Sequence, residues 1–344
     1  MSSLDVINPT VHSKVREYEQ QFRTAAPFPH VVIDDFLTPA FAEQLLRDFP
    51  AFDAQRAKNE LGKAGLKAVQ EKLAGVSPVY AQLDGIFQSD DFRTLVGGLT
   101  GIPALLYDAD YFGGGTHENL HGQELDAHVD FNVLPERQWH RRLNAIIYLN
   151  KDWQADWGGA LELHSDPWSP DKNTVKSVVP LFNRCVIFET SERSWHAFNR
   201  IVLPSDEQQR SRKSVALYYY TADRPADEIA PAHSTFYVHR PLPEHIVAGH
   251  TLSESDYEEI RSLLHRRDGW IRYLYKREME LAKEIDDLGG RGSVAATVLR
   301  RLYFDFKHRI YNGVQRSAPN LLATMQRKVA PALKTVETRL KRMS

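Results

Sequence analysis

The chain of 344 residues has a single cysteine, Cys185, which excludes an internal disulfide framework and any multi-cysteine zinc site. No apolar run approaches the roughly 18 residues a membrane-spanning helix needs. The first residues, MSSLDVINPTVHSKVREYEQQF, lack the basic, apolar and small-residue order of a signal peptide. A reducing cytoplasm is therefore the expected setting. Charge of one sign is also missing: 43 Lys and Arg stand against 45 Asp and Glu, so no overall pull toward nucleic acid or anionic membrane is expected.

What is present suffices for a large buried core, since 42% of the residues are hydrophobic and no low-complexity stretch occurs. Charge is uneven along the chain, because residues 299–344 carry eleven Lys or Arg and two acids. His30 to Phe36 reads as a strand, and Thr38-Pro39 opens a helix running to about Phe49. Residues 55 to 100 have a helical pattern. From about 104 to 221 the pattern becomes short β-branched and aromatic runs separated by Gly, Pro, Asn and Asp, which predicts an antiparallel sandwich or jelly roll.

Prolines at 225, 231, 241 and 243 break up residues 224–252, which read as an extended surface connector. Beyond it, Ser253 and Asp256 can cap a helix with an apolar face at Tyr257, Ile260, Leu264, Ile271, Leu274, Leu281 and Ile285. A last helix carries Leu322, Met325, Val329, Leu333, Val336 and Leu340, with a kink or break expected at Pro331. The expected organisation is a domain over 1–223, the connector over 224–252, and a helical region over 253–344 that is basic at its end. Its stripe of Tyr303, Phe304, Phe306, Ile310 and Tyr311 needs cover, so packing and homo-oligomerisation through the C-terminal helices is the favoured reading. An acidic-partner or nucleic-acid surface and an interfacial membrane helix are the alternatives. No aromatic and basic interleaving resembling a nucleic-acid module is present.

The chemistry concentrates in Asp126-Ala-His128-Val-Asp130-Phe-Asn132. On a strand, His128, Asp130 and Asn132 project from one face. His196, after the apolar strand Cys185-Val-Ile-Phe188, is the best third ligand. Two imidazoles and one carboxylate form the facial triad of non-haem Fe(II) oxygenases, which leaves positions open for a chelating co-substrate and O₂. Downstream, Arg212, Ser214, Ala216 and Tyr218 share a strand face. A guanidinium buried in so apolar a strand demands an anion. The far carboxylate of 2-oxoglutarate would meet Arg212, helped by Ser214 and a tyrosine hydroxyl, with Tyr148 the first choice.

These residues resemble the Fe(II)/2-oxoglutarate-dependent dioxygenases, prolyl-4-hydroxylase-like branch, over roughly residues 27–221. The ordered set is Pro27 to Phe36, His128-Val-Asp130, Ile147 to Trp153 with Gly158-Gly159, Asn183 to Phe188, His196, and Arg212-Lys-Ser-Val-Ala-Leu-Tyr-Tyr-Tyr. The resemblance implies a mainly β fold: a double-stranded β-helix (jelly roll) with N-terminal helices packed on the sheet and a helical C-terminal extension. It implies Fe(II) held by His128, Asp130 and His196, and 2-oxoglutarate held by Arg212, Tyr148 and Ser214. The implied reaction decarboxylates 2-oxoglutarate to succinate and CO₂ and hydroxylates an unactivated C–H, with ascorbate as a reductant. A prolyl residue, an amino acid or another small molecule is the expected substrate. Sixteen residues separate His196 from Arg212, a long interval that leaves Arg210 as a second candidate anchor.

A competing motif precedes the triad. His117-Glu118-Asn119-Leu120-His121 is a literal HExxH, the zinc-peptidase signature. Three glycines before it and Gly122 after it argue against a helix, and Glu124 and Ala127 stand where a metzincin needs Gly and His. The segment is read as a rim or lid loop, with His117 and His121 as substrate contacts beside Asn132 and Trp195. A zinc metallopeptidase and a non-catalytic jelly-roll binding module are the alternative functions.

Overall fold

Alternation along the β-rich segment sorts its side chains onto two faces. In the strand over residues 212–221, Val215, Leu217 and Tyr219 join the helix-covered core, while Arg212, Ser214, Ala216 and Tyr218 face a cavity. The computed structural model describes residues 4–53 and 68–289. The chain divides into two compact units, the first ending at Tyr257 and the second starting at Glu258.

The first unit begins with helices α1 (Pro9–Ser13) and α2 (Val15–Thr24), strand β1 (His30–Ile33) and helix α3 (Pro39–Arg47). Strand β2 (Ala68–Gln70) precedes helices α4 (Pro78–Phe87) and α5 (Asp90–Thr100). Strands then follow one another: β3 (Leu106–Tyr107), β4 (Gly115–Asn119), β5 (Leu125–Val129), β6 (Val133–Leu134), β7 (Trp139–Tyr148), β8 (Leu161–His164), β9 (Val175–Val178), β10 (Arg184–Glu189), β11 (Trp195–Phe198), β12 (Arg212–Thr221) and β13 (Phe236–Val238). Helix α6 (Glu254–Gly289) begins in the first unit and continues into the second.

One sheet runs β1-β10-β7-β12-β4-β2, with β3 on β12 and β6 on β7; the other runs β13-β5-β11-β8-β9, and the named pairings are antiparallel. The two sheets form a jelly roll. Between them Phe28, Tyr148, Val186 and Phe188 pack against Leu161, Leu163 and Val178. On the outer face of the larger sheet, Ile33, Leu143, Ile147, Ile187 and Leu217 are covered by Val11, Phe22, Leu45, Leu83, Phe92 and Val96 from α1 to α5. Burying each such side chain contributes roughly 1.5–3 kcal/mol, which is why the helices cover this face.

Three expectations change. The helical pattern over 55–100 yields β2 before α4 and α5, and residues 54–67 lie outside the described residues. The supposed rim loop at 115–119 is β4, a buried strand between β12 and β2, because Gly115 (φ 102°) brings its backbone so close to Gln70 that any Cβ would clash there. The 224–252 connector contains β13, which completes the smaller sheet at β5. The α6 cap is as read: Ser253 Oγ accepts from the Asp256 amide and Asp256 Oδ2 from the Ser253 amide, at 3.2 and 2.9 Å. The final helix over 322–340, the aromatic stripe from Tyr303 and the basic region 299–344 lie outside the described residues.

Candidate active site

The smaller sheet brings two histidines face to face. His196 on β11 is directly opposite His128 on β5, and their ring centroids lie 4.1 Å apart. Each Nδ1 lies 2.9 Å from the carbonyl of the residue two before it, Asp126 for His128 and Ser194 for His196. A carbonyl only accepts, so each Nδ1 must carry the proton, which leaves each Nε2 of the neutral ring as a bare lone pair.

Asp130 follows β5 and faces both lone pairs, with Nε2 to carboxylate distances of 3.9 Å for His128 and 3.5 Å for His196. Burial alone would push its carboxyl up, but the adjacent Arg141 guanidinium, helped by the Asn144 amide, outweighs burial and holds it well below the usual carboxylate range. Burial lowers the His196 pKa and keeps the ring neutral, although Asp130 opposes this. Three electron-pair donors thus converge on one point with no proton between them. That arrangement is repulsive unless a cation sits there, and two nitrogens and one carboxylate oxygen suit Fe(II) with open positions left over.

Arg141 and Asn144 were not singled out from the sequence. Arg141 Nη2 reaches Asp130 Oδ2 at 2.9 Å, and Asn144 Nδ2 donates to the same oxygen at 2.8 Å. Arg141 also donates to Asn144 Oδ1 from Nε and Nη2, and its guanidinium lies 3.5 Å from the Tyr218 ring centroid. Alternation along β7 puts Asn144, Ile146 and Tyr148 on the cavity side, which would assign the next inward position to Arg142. A register shift against β12, where Leu143 pairs Tyr219 but Arg141 pairs Tyr220, skips Arg142 and turns Arg141 inward instead. Strict alternation hides such a residue.

The larger sheet supplies the opposite wall. Ser214 on β12 pairs with Tyr148 on β7 and with His117 on β4. Arg212 is buried, and its Nε donates to the Gly159 carbonyl at 2.6 Å while Nη2 donates to Tyr148 Oη at 3.3 Å. Gly159 (φ 70°) approaches so closely that an added Cβ would lie 3.0 Å from Arg212 Cδ. Burial lowers the Arg212 pKa and only Tyr148 opposes it; among the described residues no carboxylate pairs with this guanidinium. Burial also raises the Tyr148 phenol, so it stays protonated, and accepting from Arg212 leaves its O–H to donate elsewhere.

A cavity of about 280 Å³ joins the two walls and is lined by His128, Asp130 and His196 on one side and Tyr148, Arg212 and Ser214 on the other. Its remaining lining includes the aromatic rings of Phe112, Phe131, Tyr218 and Tyr237, the last stacked on His128 at 5.0 Å.

The other sequence candidates separate. His117 lines the cavity from β4. His121 instead accepts from the Leu203 amide. Asn132 lies beyond the end of β5, where its side chain bonds Pro231 O, Glu192 and the His233 amide and so fastens the segment leading to β13. Trp195 is buried with Ala127 and Val129 against Trp168. Arg210 pairs with Glu207 and the Lys151 carbonyl at the surface. The HExxH segment cannot act as a peptidase helix, because Glu118 lies on the opposite face of β4 from His117, bonded to Ser211 and Lys213.

Residues 115–220 match the model of the 2OG-Fe(II) oxygenase superfamily. The chain is 26% identical over 199 residues to prolyl 3-hydroxylase OGFOD1 of Mus musculus, covering 56% of this chain and 33% of that protein. It is 28% identical over 207 residues to the Xenopus laevis protein of the same name, covering 58% of this chain and 37% of the relative. The match therefore spans about a third of the length of these curated relatives. Among solved structures, a Trichoplax adhaerens prolyl hydroxylase in complex with a hypoxia-inducible-factor degradation-domain peptide is similar at a TM-score of 0.44 and 17% identity, over 61% of this chain and 92% of that one. No helix of the described residues is long and apolar enough to cross a membrane. Residues 115–220 are thus similar to the 2OG-Fe(II) oxygenase superfamily, and the curated relatives that the chain resembles are named prolyl 3-hydroxylases.

Proposed function

We propose that the protein is an Fe(II)- and 2-oxoglutarate-dependent dioxygenase that hydroxylates a prolyl residue of a peptide or protein. The observation that carries this reading is a buried Arg212 with no acidic partner among the described residues, in the same cavity as three convergent donor groups that could hold a metal. A metal centre alone needs no buried guanidinium opposite it. A chelating dicarboxylate needs both, one end at the metal and the other at Arg212.

His128, Asp130 and His196 would hold Fe(II), which with 2-oxoglutarate and O₂ supplies the oxidising chemistry: one oxygen atom enters the substrate C–H and the other enters succinate, with release of CO₂. Arg212 binds the distal carboxylate through the donors left over from Gly159 and Tyr148, and the Tyr148 and Ser214 hydroxyls complete its hydrogen bonding. Arg141 and Asn144 hold Asp130 Oδ2 and keep the carboxylate ionised, which would leave Oδ1 available to a metal. The aromatic surface of Phe112, Phe131, Tyr218 and Tyr237 excludes water and suits a compact apolar ring such as proline. The names of the curated relatives support the prolyl assignment over a free small molecule. Oligomerisation through the helices beyond residue 253 and a cytoplasmic setting complete the reading, and light scattering of the purified chain tests the first.

The deciding experiment screens proline-containing peptides for stimulated 2-oxoglutarate turnover, with succinate and a mass gain of one oxygen as coupled readouts. Matched production of both supports the proposal. Turnover stimulated only by non-prolyl small molecules overturns the substrate assignment, and metal uptake without 2-oxoglutarate binding overturns the reaction.

A further inference from the structure

A second group of two histidines and one aspartate lies outside the cavity. His245 and His250 lie in the segment before α6 and Asp256 in its first turn. Their ligand atoms all lie within 4.8 Å of one another. His245 Nε2 is 2.7 Å from Asp256 Oδ1, and His250 Nε2 is 3.0 Å from Asp256 Oδ2.

The backbone builds this convergence locally. The His250 amide donates to the Val247 carbonyl, and Gly249 (φ 84°) turns the chain in a conformation that favours glycine. The reciprocal bonds between Ser253 and Asp256 then fix the carboxylate at the start of the helix. Those bonds load Oδ2, which also accepts from Ser253 Oγ, whereas Oδ1 accepts only from His245 among the described residues. Shifting each ring proton from Nε2 to Nδ1 leaves two imidazole lone pairs beside the Asp256 carboxylate. Two nitrogens and a carboxylate oxygen are a donor set for a tetrahedral ion once the rings turn onto it, and imidazole selects zinc-like ions over calcium or magnesium. The His245 side chain is 59% exposed, which leaves water access to a fourth position.

We propose that His245, His250 and Asp256 form a second divalent-metal site of the zinc class, which ties the 245–250 turn to the first turn of α6. Nothing in it depends on the reaction proposed for the cavity. Among the described residues no bond to another group holds the Nδ1 protons in place, so this site is expected to bind about 10–100-fold more weakly than one with those partners.

Zn²⁺ stoichiometry on the full-length chain, stripped of metal and dialysed against Zn²⁺, tests the assignment. The doubly substituted His128→Ala/Asp130→Ala chain removes the first centre and is expected to keep one Zn²⁺. Adding His245→Ala and His250→Ala to that chain is expected to abolish it. Asp256→Asn keeps a carbonyl acceptor for the helix cap but loses the anionic ligand, so it should lower Zn²⁺ affinity at least tenfold while circular dichroism is unchanged. Histidine ring NMR on the same chain should show Zn²⁺ shifting the His245 and His250 resonances. If the His128→Ala/Asp130→Ala chain binds no Zn²⁺, or binds it undiminished after His245 and His250 are replaced, the cluster is a hydrogen-bonded helix cap only and the proposal fails.

Discussion

Two histidine pairs around an aspartate lie among the described residues, and they differ in where the ring protons go. In the cavity both Nδ1 protons are committed to main-chain carbonyls, so Nε2 of His128 and His196 has nothing to offer Asp130 except a lone pair. At the start of α6 the Nε2 atoms of His245 and His250 are themselves within hydrogen-bonding distance of Asp256, so the cluster is satisfied without an ion. The same three residue types are therefore a cation demand in one place and a helix cap that can accept a cation in the other. What separates them is the carbonyl behind each ring, which composition does not encode.

The sharpest test of that difference is Asp130→Ala. In the cavity it should abolish tight Fe(II) binding and succinate production, because it removes the carboxylate facing the two imidazoles. Arg212→Ala should come next: removing a buried, charge-assisted hydrogen-bonding group costs about 3 kcal/mol, which is roughly a 100-fold weaker 2-oxoglutarate affinity by calorimetry. Fe(II) binding should survive in that variant. An equal loss of Fe(II) would mean that Arg212 supports the fold of the site rather than the co-substrate.

Arg141 tests whether pre-orientation is the source of the contrast. Arg141→Ala takes away one of the two donors on Asp130 Oδ2 and the strongest influence favouring its ionised form, so metal affinity should fall about 10–100-fold, measured by competition with a chelator. Asn144→Ala removes the weaker, neutral donor and should cost less. Arg141→Lys should recover part of the affinity, since it restores the charge without the fork that reaches Asn144.

That His128, His196, Arg212, Tyr148 and Ser214 would face one cavity was legible because each lies on a strand whose alternation can be read directly, with Asp130 one residue beyond β5, and the two sheets bring those faces together. The alternating short runs announced the jelly roll for the same reason. Arg141 was not legible, because the skipped residue at Arg142 reverses the parity that the reading relies on. β4 was missed because its glycines read as a loop, whereas Gly115 is there to let the β2 backbone come close. Tyr237 was missed because the prolines around it dominate the local pattern, and only pairing with β5 makes a strand of Phe236–Val238.

The smallest effect concerns His30 on β1, which has the backbone arrangement of the cavity histidines without a carboxylate in front of it. Its Nδ1 lies 2.8 Å from the Phe28 carbonyl, and its ring is buried beside Phe28. Burial lowers its pKa from the ordinary value of 6.5, although the Phe28 carbonyl opposes this. The folded chain therefore resists a proton that the unfolded chain takes up. Its contribution is fully present above pH 6.5 and is lost as the pH falls below that value, with a slope of at most about 1.4 kcal/mol per pH unit. His196 carries the same sign, so the test must isolate His30. Urea denaturation of the metal-free chain and of its His30→Gln variant, compared at neutral pH and about one unit below 6.5, should show the variant losing less stability on acidification. An identical loss in both would mean that His30 reaches water in the folded state, and that a carbonyl behind the ring does not by itself keep an imidazole neutral.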